Sequence, residues 1–399
     1  MKHLIVAFAL CLGVLNQQAF AAAKKSIAKM APSAVVLAVD EKGKTLLAQN
    51  ADKPFVPASV AKVVTAWLAM KELGGDYRFK TSFFFDKDRV LYVKGGGDPF
   101  LVSEEIVLLA PEVLKAIKNQ PIKKIVIDTS YYPADLRIPG IEQDSEAYNA
   151  LNAALAANFN TINARRKGKR VVSAEKQTPI TPTAIKQFKA RGPKKGKGRI
   201  SLAQQNPKIG VIYAGELIAE FIKRSGGKVE GSVTIGKLPE GLSPVYVHAQ
   251  SRPLSKILKL MLYSSNNYIT NQVFLEIGAH RFGGPVSLEK SLRVARENLK
   301  KIGLSDKDIK LEEGSGISRG NRFTAAGLAT VLADFKENQT LLKKGRSGAR
   351  YKTGTLSGVR TLTGYTNTKS HKNVRYVISI RGNTGRLRYQ ILRALQKGL

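Results

Sequence analysis

The sequence predicts an α/β (α+β) fold whose sheet is built from both ends of the chain. Strand-like apolar segments occur at residues 34–48 and 359–380, and helical apolar spacing fills much of the region before the second of them. At 399 residues the chain exceeds one typical core, and its character changes in the middle third. We therefore expect a principal domain from residues 22–75 and 253–399, interrupted by a smaller, basic accessory domain over residues 76–252.

The first 21 residues are typical of a secretory signal peptide. Lys2 gives the positive start, Leu4 to Leu15 the apolar run, and Ala19-Phe20-Ala21 a small-x-small cleavage site. A retained anchor is the alternative, but a dozen apolar residues fall short of the about 20 that span a bilayer. We expect export to the periplasm or the extracellular space. Cys11, the only cysteine, lies in this segment, so the exported chain would have no disulfide and no cysteine metal site.

The net charge of +35 is the strongest feature of the composition. It indicates either a solvated surface or attraction to a polyanion. Nucleic acid fits poorly, because the chain has no zinc-finger spacing or ribonucleoprotein motif and carries an export signal. An anionic cell wall or membrane surface is the expected partner.

The N-terminal elements are a hairpin and a buried helix. Ala34 to Val39 and Thr45 to Ala48 are apolar runs joined by a glycine-containing turn. Ser59 to Leu73 follows as a helix that is apolar almost all round and is ended by Gly74-Gly75. Ser59, Lys62 and Thr65 form its one polar stripe, and lysine is rarely buried without a partner or a task.

The expected accessory domain contains strands and a strongly basic stretch. Val90 to Val93 and Lys124 to Ile127 are strand-like, and a glycine-rich segment follows the first of them. Residues 165–199 carry thirteen Lys/Arg and a single acid, Glu175. This stretch indicates either a mobile basic loop or a basic docking face.

The C-terminal part is predicted to be helical first and strand-like afterwards. Leucine, isoleucine and methionine recur at helical spacing after Pro253, and two strand-like runs flank a polar turn before a closing helix. The predicted elements are helices at Leu254–Leu262, Ser287–Ile302, Thr324–Phe335 and Arg386–Gln396, and strands at Val359–Tyr365 and Val374–Ile380.

Three short motifs follow one another along the chain: Ser59-Val60-Ala61-Lys62, Ser265-Asn266-Asn267 and Lys352-Thr353-Gly354. Together and in this order they are the S-x-x-K, S-x-N and K-T-G set of penicillin-recognising serine acyl-transfer enzymes. S-x-x-K alone is weak evidence, since it recurs at Ser26/Lys29, Ser173/Lys176 and Ser287/Lys290. The apolar helix around Ser59 sets that pair apart from these matches.

Ser59 and Lys62 are suited to nucleophilic catalysis. A serine hydroxyl needs a base within hydrogen-bond distance, and residues i and i+3 of a helix share a face. Lys62 must be neutral to accept the proton, and burial together with a second cation, Lys352, would lower its pKa. Isolated histidines offer no rival mechanism, and no cofactor or metal is expected.

The third motif predicts how a peptide substrate is held. Gly354 is small enough to let a peptide add itself to the strand edge, while Lys352 supplies positive charge and Thr353 a hydroxyl for a substrate carboxylate. The backbone N–H groups of Ser59 and Thr355 are the candidate oxyanion hole. The middle motif offers two frames, starting at Ser264 or at Ser265, and the residues alone do not choose between them.

The chain resembles the S13 peptidases, the D-alanyl-D-alanine carboxypeptidase/endopeptidases of the penicillin-binding protein 4 type. Besides the three motifs, the matching segments are residues 95–99 (GGGDP), 150–163 (ALNAALAANFNTIN), 314–322 (GSGISRGNR) and 352–365 (KTGTLSGVRTLTGY). The resemblance implies a penicillin-binding transpeptidase/β-lactamase-like domain with an antiparallel sheet flanked by helices. It implies cleavage of D-Ala-D-Ala ends or cross-links of peptidoglycan peptides, and acylation of Ser59 by β-lactam antibiotics.

The resemblance also assigns residues in the middle of the chain. Ser265 would relay a proton to the leaving amine, Asn267 would hold a substrate amide, and Arg319 would be a cation on the substrate side. Two departures are visible: the first two motifs are only 206 positions apart (265 − 59), and the family's usual Asp-Gly-Ser-Gly begins here with Glu313.

Two other functions compete with this interpretation. A class A β-lactamase would add E-x-x-L-N after the second motif, and Glu297-Asn298-Leu299 has the wrong order. A wall-binding or regulatory penicillin-binding protein with little turnover is the other rival, and the intact motifs argue against it. A broadly acting wall hydrolase would in turn suit a protein inhibitor as a partner.

Overall fold

The computed structural model describes residues 21–202 and 206–399, so residues 1–20 of the predicted signal peptide lie outside the described part. The chain forms two compact units. Unit 1 comprises the residues up to Leu68, Leu262–Ser265 and Ala295–Leu399, and unit 2 comprises Ala69–Met261 and Asn266–Val294. The domain boundaries expected at residues 75 and 252 stay a prediction.

The described residues form both strands and helices, which confirms the α/β (α+β) class. The strands are β1 (Val35–Val39), β2 (Thr45–Gln49), β3 (Lys80–Phe85), β4 (Val90–Gly95), β5 (Lys124–Asp128), β6 (Thr161–Lys167), β7 (Arg170–Ser173), β8 (Lys197–Ser201), β9 (Val233–Ile235), β10 (Tyr246–Ala249), β11 (Ile309–Lys310), β12 (Arg322–Phe323), β13 (Lys343–Lys344), β14 (Arg350–Leu356), β15 (Val359–Thr366) and β16 (Val374–Arg381). The helices are α1 (residues 21–30), α2 (Ala61–Glu72), α3 (Ser103–Ala116), α4 (Pro182–Arg191), α5 (Lys208–Arg224), α6 (Leu254–Ser264), α7 (Asn267–Phe282), α8 (Leu288–Lys301), α9 (Ala325–Asp334) and α10 (Leu387–Gly398). None of the helices in the described part is long and apolar enough to cross a membrane.

Unit 1 is built on a six-stranded sheet in the order β13-β14-β15-β16-β1-β2. Every neighbouring pair is antiparallel. The predicted N-terminal hairpin is confirmed as β1–β2, and Gly43 in its turn has φ +93°, a value that favours glycine. The prediction that both ends of the chain contribute to one sheet is confirmed, because β16 pairs with β1.

Helices cover both faces of this sheet. On one face Val36 and Ala38 share a core with Ile391 and Leu395 of the predicted closing helix, α10. On the other face the Tyr365 hydroxyl donates to the carbonyl of Leu332 in α9 at 2.6 Å. All five residues of β1 are consequently buried, which explains why this strand is a continuous apolar run instead of an alternating one.

The motif helix begins with a short 3-10 turn, Ala58–Val60, that leads directly into α2. The helix predicted from residue 59 is therefore confirmed, with its first turn in the tighter geometry. Residues 60–69 are all buried, as the nearly all-round apolar pattern predicts, and Gly74 with φ +79° follows the helix end.

Unit 2 contains two sheets. One is a five-stranded mixed sheet in the order β10-β3-β4-β5-β9, and the other is the antiparallel sheet β7-β6-β8. The possibility that residues 165–199 form a mobile loop is wrong, since they contain most of the second sheet and α4. Small and apolar side chains interleave with the basic ones in these strands and are buried, which gives the sheet a core that the charge content hides: Ile162, Ala164, Val171 and Ile200.

Candidate active site

The Ser59 hydroxyl lies beside a fully buried lysine. Lys62 Nζ donates to Ser59 Oγ at 3.1 Å and to the carbonyl of Ser315 at 2.7 Å, and its side chain has no exposed surface. The polar stripe continues with Thr65, whose hydroxyl donates to the carbonyl of Gly314 at 2.7 Å. The expected i, i+3 contact between Ser59 and Lys62 is therefore present.

The other S-x-x-K pairs lack this environment. Lys29 and Lys176 are exposed to solvent. Lys290 is bound to the carbonyls of Gly283 and Pro285 at 2.8 and 2.9 Å. The further match Ser225/Lys228 also has an exposed lysine, so burial of the lysine distinguishes Ser59/Lys62 from the chance matches.

Burial lowers the pKa of Lys62 well below its ordinary value. The positive charge of Lys352 lowers it further, while the carboxylate of Glu313 opposes the shift. Both causes anticipated from the sequence act in this direction. A neutral amine next to a serine hydroxyl can accept its proton.

The turn that holds Lys62 is organised by a buried carboxylate. Glu313 accepts hydrogen bonds from the backbone N–H of Ser315 and of Gly316, both at 2.7 Å, and from the amide of Asn321 at 2.8 Å. It thereby fixes the loop whose Ser315 carbonyl accepts from Lys62. In the sequence Glu313 is only a departure from the family pattern. Its contacts show that it positions the loop that binds Lys62.

The second and third motifs meet in unit 1. Lys352 Nζ donates to Ser265 Oγ at 2.8 Å and to its neighbouring carbonyl, Thr353 O, at 2.9 Å. Because the Ser265 oxygen accepts from Lys352, its own proton can be donated elsewhere. Ser264 instead ends α6 and is exposed, so the geometry favours the frame that starts at Ser265.

Asn267 belongs to unit 2. It is the first residue of α7, and its side-chain amide donates to the carbonyl of Tyr148 at 3.1 Å. The cap of this helix is Asn266, whose side chain accepts from the backbone N–H of Ile269. The role expected for Asn267 at a substrate amide stays a prediction.

The environment of Lys352 lowers the pKa of this lysine as well. It is 3% exposed, and burial followed by the charge of Arg388 lowers its pKa to about 7. Arg388 lies on α10 and donates to the carbonyls of Gly354 at 2.8 Å and Thr361 at 3.1 Å. Sequence reasoning missed Arg388, because no motif separates it from the many other basic residues of the chain.

Strand β14 brings Lys352 and Gly354 to the face that carries Ser59. Thr361, opposite Gly354 in the ladder, donates its hydroxyl to the carbonyl of Pro57 at 2.8 Å. A Cβ on Gly354 would come within 2.1 Å of Thr361 Oγ1 and 2.8 Å of Pro57 O. Glycine is therefore required for the strand to pack against the 3-10 turn.

The outer edge of β14 is open for a peptide. Strand β13 pairs with β14 only at Arg350 and Tyr351, and among residues 21–202 and 206–399 no other strand pairs with that edge. Thr353 is partly buried and Thr355 is exposed beside it. An extended peptide could pair with such an edge through its main chain.

Strained backbone occurs next to the first motif and within the second. Ala58, directly before Ser59, has φ +49°, and Ser265 has φ +58°. Non-glycine residues in this region cost of order 1–3 kcal/mol and persist where the surroundings enforce them. Around Ala58 the enforcement is visible, since a Cβ on Gly316 would lie 1.9 Å from the Ala58 carbonyl oxygen.

Arg319 lies on the surface of unit 1. Its side chain is exposed and donates to the carbonyl of Ser357 at 2.7 Å. It is therefore tied to the turn after β14, and its predicted role toward substrate stays a prediction. In the part of the chain that the structure covers, no group of three or more His, Cys, Asp or Glu residues could hold a metal ion.

The chain matches the model of the D-Ala-D-Ala carboxypeptidase 3 (S13) family over residues 17–344. It is 24% identical to a D-alanyl-D-alanine carboxypeptidase of Actinomadura sp. (strain R39) over 404 residues, covering 84% of this chain and 75% of the relative. It is 25% identical to the D-alanyl-D-alanine carboxypeptidase DacB of Haemophilus influenzae, covering 86% of this chain and 84% of the relative. Lys352 lies beyond the residues of the family match, so its placement rests on the geometry described above.

Solved structures share the fold. Penicillin-binding protein 4 of Haemophilus influenzae matches with a TM-score of 0.75 at 20% identity, covering 94% of this chain and 99% of that one, and its β-lactam complex matches with a TM-score of 0.70. A predatory endopeptidase of Bdellovibrio bacteriovorus, in complex with an immunity protein, matches with a TM-score of 0.53 at 19% identity, covering 90% and 89%.

Proposed function

The chain belongs to the D-Ala-D-Ala carboxypeptidase 3 (S13) family of serine peptidases, and we propose that Ser59 is its nucleophile. The substrates are peptidoglycan stem peptides ending in D-Ala-D-Ala and the D-alanyl cross-links between them. The enzyme acts as a DD-carboxypeptidase and DD-endopeptidase through an acyl-enzyme on Ser59. The observation that carries the proposal is the 3.1 Å contact between Ser59 Oγ and the fully buried Lys62 Nζ.

In the acylation step, neutral Lys62 takes the Ser59 proton as Oγ attacks the carbonyl carbon of the penultimate D-alanine. The backbone N–H groups of Ser59 and Thr355 stabilise the resulting oxyanion, and one such donor is typically worth about 2.7–4 kcal/mol. Ser265 passes a proton to the departing amine, and the proton on Lys62 replaces it through the hydroxyls. The C–N bond breaks, which leaves an ester on Ser59 and a free amine.

Deacylation repeats these roles with water. Lys62 accepts a proton from a water molecule that attacks the ester carbonyl, and the proton returns to Ser59 Oγ as the C–O bond breaks. Lys62 is neutral again at the end of the cycle. No cofactor enters the balance, because hydrolysis of an amide consumes only water.

Substrate recognition is assigned to the third motif. The peptide adds to the open edge of β14 by main-chain hydrogen bonds. Lys352 and Thr353 receive the terminal carboxylate of a carboxypeptidase substrate, with Arg319 as an additional cation. Asn267 holds a backbone amide of the same peptide.

The same site explains the proposed partners. A β-lactam presents a strained amide to the same nucleophile, and its ester on Ser59 hydrolyses slowly. Export to the periplasm or the extracellular space places the enzyme at its substrate. A protein inhibitor is a further partner, by analogy with the immunity protein bound to the predatory endopeptidase of Bdellovibrio bacteriovorus.

Mass spectrometry of products from purified cross-linked muropeptides tests the proposal. Wild-type protein should release D-Ala and resolve the cross-links, whereas Ser59→Ala and Lys62→Ala should each reduce turnover by at least about 10³-fold. The matched control is Ser173→Ala, which alters another S-x-x-K serine and should leave turnover unchanged. Near-normal turnover in Ser59→Ala would refute the nucleophile, and no turnover by the wild type would favour a wall-binding role.

A further inference from the structure

Unit 2 contains a compact basic module, defined here as β6, β7, α4 and β8 with their connections, residues 161–201. Its strands form the antiparallel sheet β7-β6-β8. One face of that sheet is apolar and buried, with Ile162, Ala164 and Ile200 at most 4% exposed. The module therefore has a folded scaffold on which its charges are held in fixed positions.

The opposite face of the sheet is cationic. Directly opposite residues of an antiparallel pair point to the same face, and the register places Arg165 opposite Lys197 and Lys167 opposite Arg170. All four are exposed. Like charges directly opposite each other destabilise a sheet, so this face is maintained at a cost to folding.

Two turns extend the cationic face at one end of the sheet. The β6–β7 turn carries Lys169, and the connection from α4 to β8 carries Lys194 and Lys195, all exposed. The backbone N–H of Arg166 donates to the carbonyl of Gly196 at 3.0 Å, which places the two turns side by side. Lys167 and Lys197 flank the same end, so cations from separate chain segments converge there.

Internal hydrogen bonds fix the backbone of these turns but do not neutralise the charges of their exposed lysines. Arg166 donates from its guanidinium to the carbonyls of Pro193 and Lys189, both at 2.9 Å. Arg191 donates to the carbonyl of Ser201 at 2.8 Å. These two half-buried arginines therefore brace the backbone, and the exposed cations are left to face solvent.

The module has few carboxylates that could neutralise its positive charge. Thirteen Lys/Arg and one acid, Glu175, lie between residues 165 and 199. Within the described residues the one ion pair of this stretch joins Glu175 to Arg199. The surface therefore presents a dense positive field to any anionic partner.

We propose that the basic module is a docking surface for an anionic lipid membrane. The cations cover a sheet face and two projecting turns, which suits a flat array of headgroups. A single polyanionic chain is typically held in a groove that follows its backbone, with aromatic side chains to stack on if it is a nucleic acid. None of the large exposed hydrophobic side chains in the described part of the chain lies between residues 165 and 199, so attachment is electrostatic and reversible.

This inference rests on the proposed export and is independent of acyl transfer at Ser59. Each lysine near an anionic lipid surface strengthens binding about fivefold. Four lysines at the turns therefore account for a difference of several hundredfold in the binding constant. The attraction is screened within about 10 Å at 0.1 M ionic strength, so bound protein should be released by salt.

Vesicle co-sedimentation of the full chain tests the proposal. The probes are phosphatidylcholine vesicles with and without about 30% phosphatidylglycerol, at low and high sodium chloride. Wild-type protein should bind the anionic vesicles and be released by salt. Replacing Lys167, Lys169, Lys194 and Lys195 by Gln should weaken this binding on the order of 10²-fold or more.

The matched control changes four exposed lysines outside the module to Gln: Lys42, Lys44, Lys53 and Lys307. Its loss of binding should be less than tenfold. Equal losses in both variants, or equal binding to neutral vesicles, would overturn the proposal.

Binding to soluble dextran sulfate that depends on the module, without any vesicle binding, would assign the surface to an anionic polymer instead. Labelled-penicillin acylation of both variants, and vesicle binding by Ser59→Ala, separate failure of this inference from failure of the proposed function.

Discussion

At the scale of single residues, the site depends on lysines held where charge is unfavourable. Lys62 and Lys352 are 0% and 3% exposed, and burial is the main cause of the lowered pKa of each. The motifs give the identities of these residues. The environments that alter them come from distant parts of the chain, Glu313 in one loop and Arg388 on α10.

Glu313→Gln should separate the charge of Glu313 from its size. Loss of the carboxylate removes the cause that raises the pKa of Lys62, so the acidic limb of the penicillin acylation rate against pH should move to lower pH. The amide cannot accept all the N–H donors of the turn, and the free energy of unfolding should fall by about 1–3 kcal/mol. Glu313→Asp keeps the charge and should keep the limb in place. Identical pH profiles for Glu313→Gln and the wild type would contradict this account of the electrostatics.

Lys352 should make stability rise with pH. Its folded pKa of about 7 lies below the unfolded value of 10.5, so the folded state loses the proton first as pH increases. Burying the charged ammonium lowers the free energy of unfolding. This cost is fully present below pH 7 and disappears toward pH 10.5, which changes the free energy of unfolding by roughly 4–5 kcal/mol. Urea unfolding of wild type and Lys352→Met between pH 7 and 9 measures it. The wild type should gain stability relative to the variant over this range, and parallel curves would contradict the lowered pKa.

At the scale of elements, most of the helices and strands could be predicted from the pattern of apolar residues and glycines in the sequence. The β1–β2 hairpin, the apolar α2, strands β15 and β16 and the closing α10 follow from apolar periodicity and glycine positions. The region around β6 to β8 could not be assigned, because its buried residues are small and sparse and its charge is typical of a loop. The residues alone could not choose Ser265 over Ser264, because both serines begin an S-x-N pattern. The family resemblance favoured Ser265, and its contact with Lys352 Nζ supports that choice.

The packing of β14 on the 3-10 turn predicts that Gly354→Ala and Gly358→Ala affect acylation differently. Gly354→Ala places a Cβ 2.1 Å from Thr361 Oγ1 and should abolish acylation, because the strand must move away from Ser59. Gly358 has φ +73° and nothing within 4 Å of its Cβ position. Gly358→Ala should therefore cost about 1–2 kcal/mol of stability and leave acylation nearly normal. Comparable acylation rates in both variants would show that the close approach is not needed.

At the scale of the whole molecule, charge is the dominant property. A net charge of +35 implies self-repulsion in the compact state. The basic module concentrates part of this charge on one rigid surface, and a binding role would explain why the chain tolerates it. The three motifs occur within unit 1 apart from Asn266 and Asn267, so Ser59, Lys62, Ser265 and Lys352 share one compact body.

Salt should stabilise this protein against unfolding. Raising sodium chloride from about 0.02 to 0.5 M screens repulsion between surface cations, so the melting temperature should rise by several degrees. Sucrose at equal osmolality is the control for a general solute effect. A melting temperature that falls or stays constant with salt would mean that self-repulsion does not limit stability.

The most direct test of the central claim is the mass of the protein after incubation with benzylpenicillin. Acyl transfer at Ser59 predicts that the wild type gains one penicillin, located by peptide mapping on the peptide that contains Ser59. Ser59→Ala should gain nothing, Lys62→Ala should be acylated at least about 10³-fold more slowly, and Ser173→Ala should react like the wild type. An adduct on folded Ser59→Ala, or no adduct on folded wild-type protein, would contradict the account.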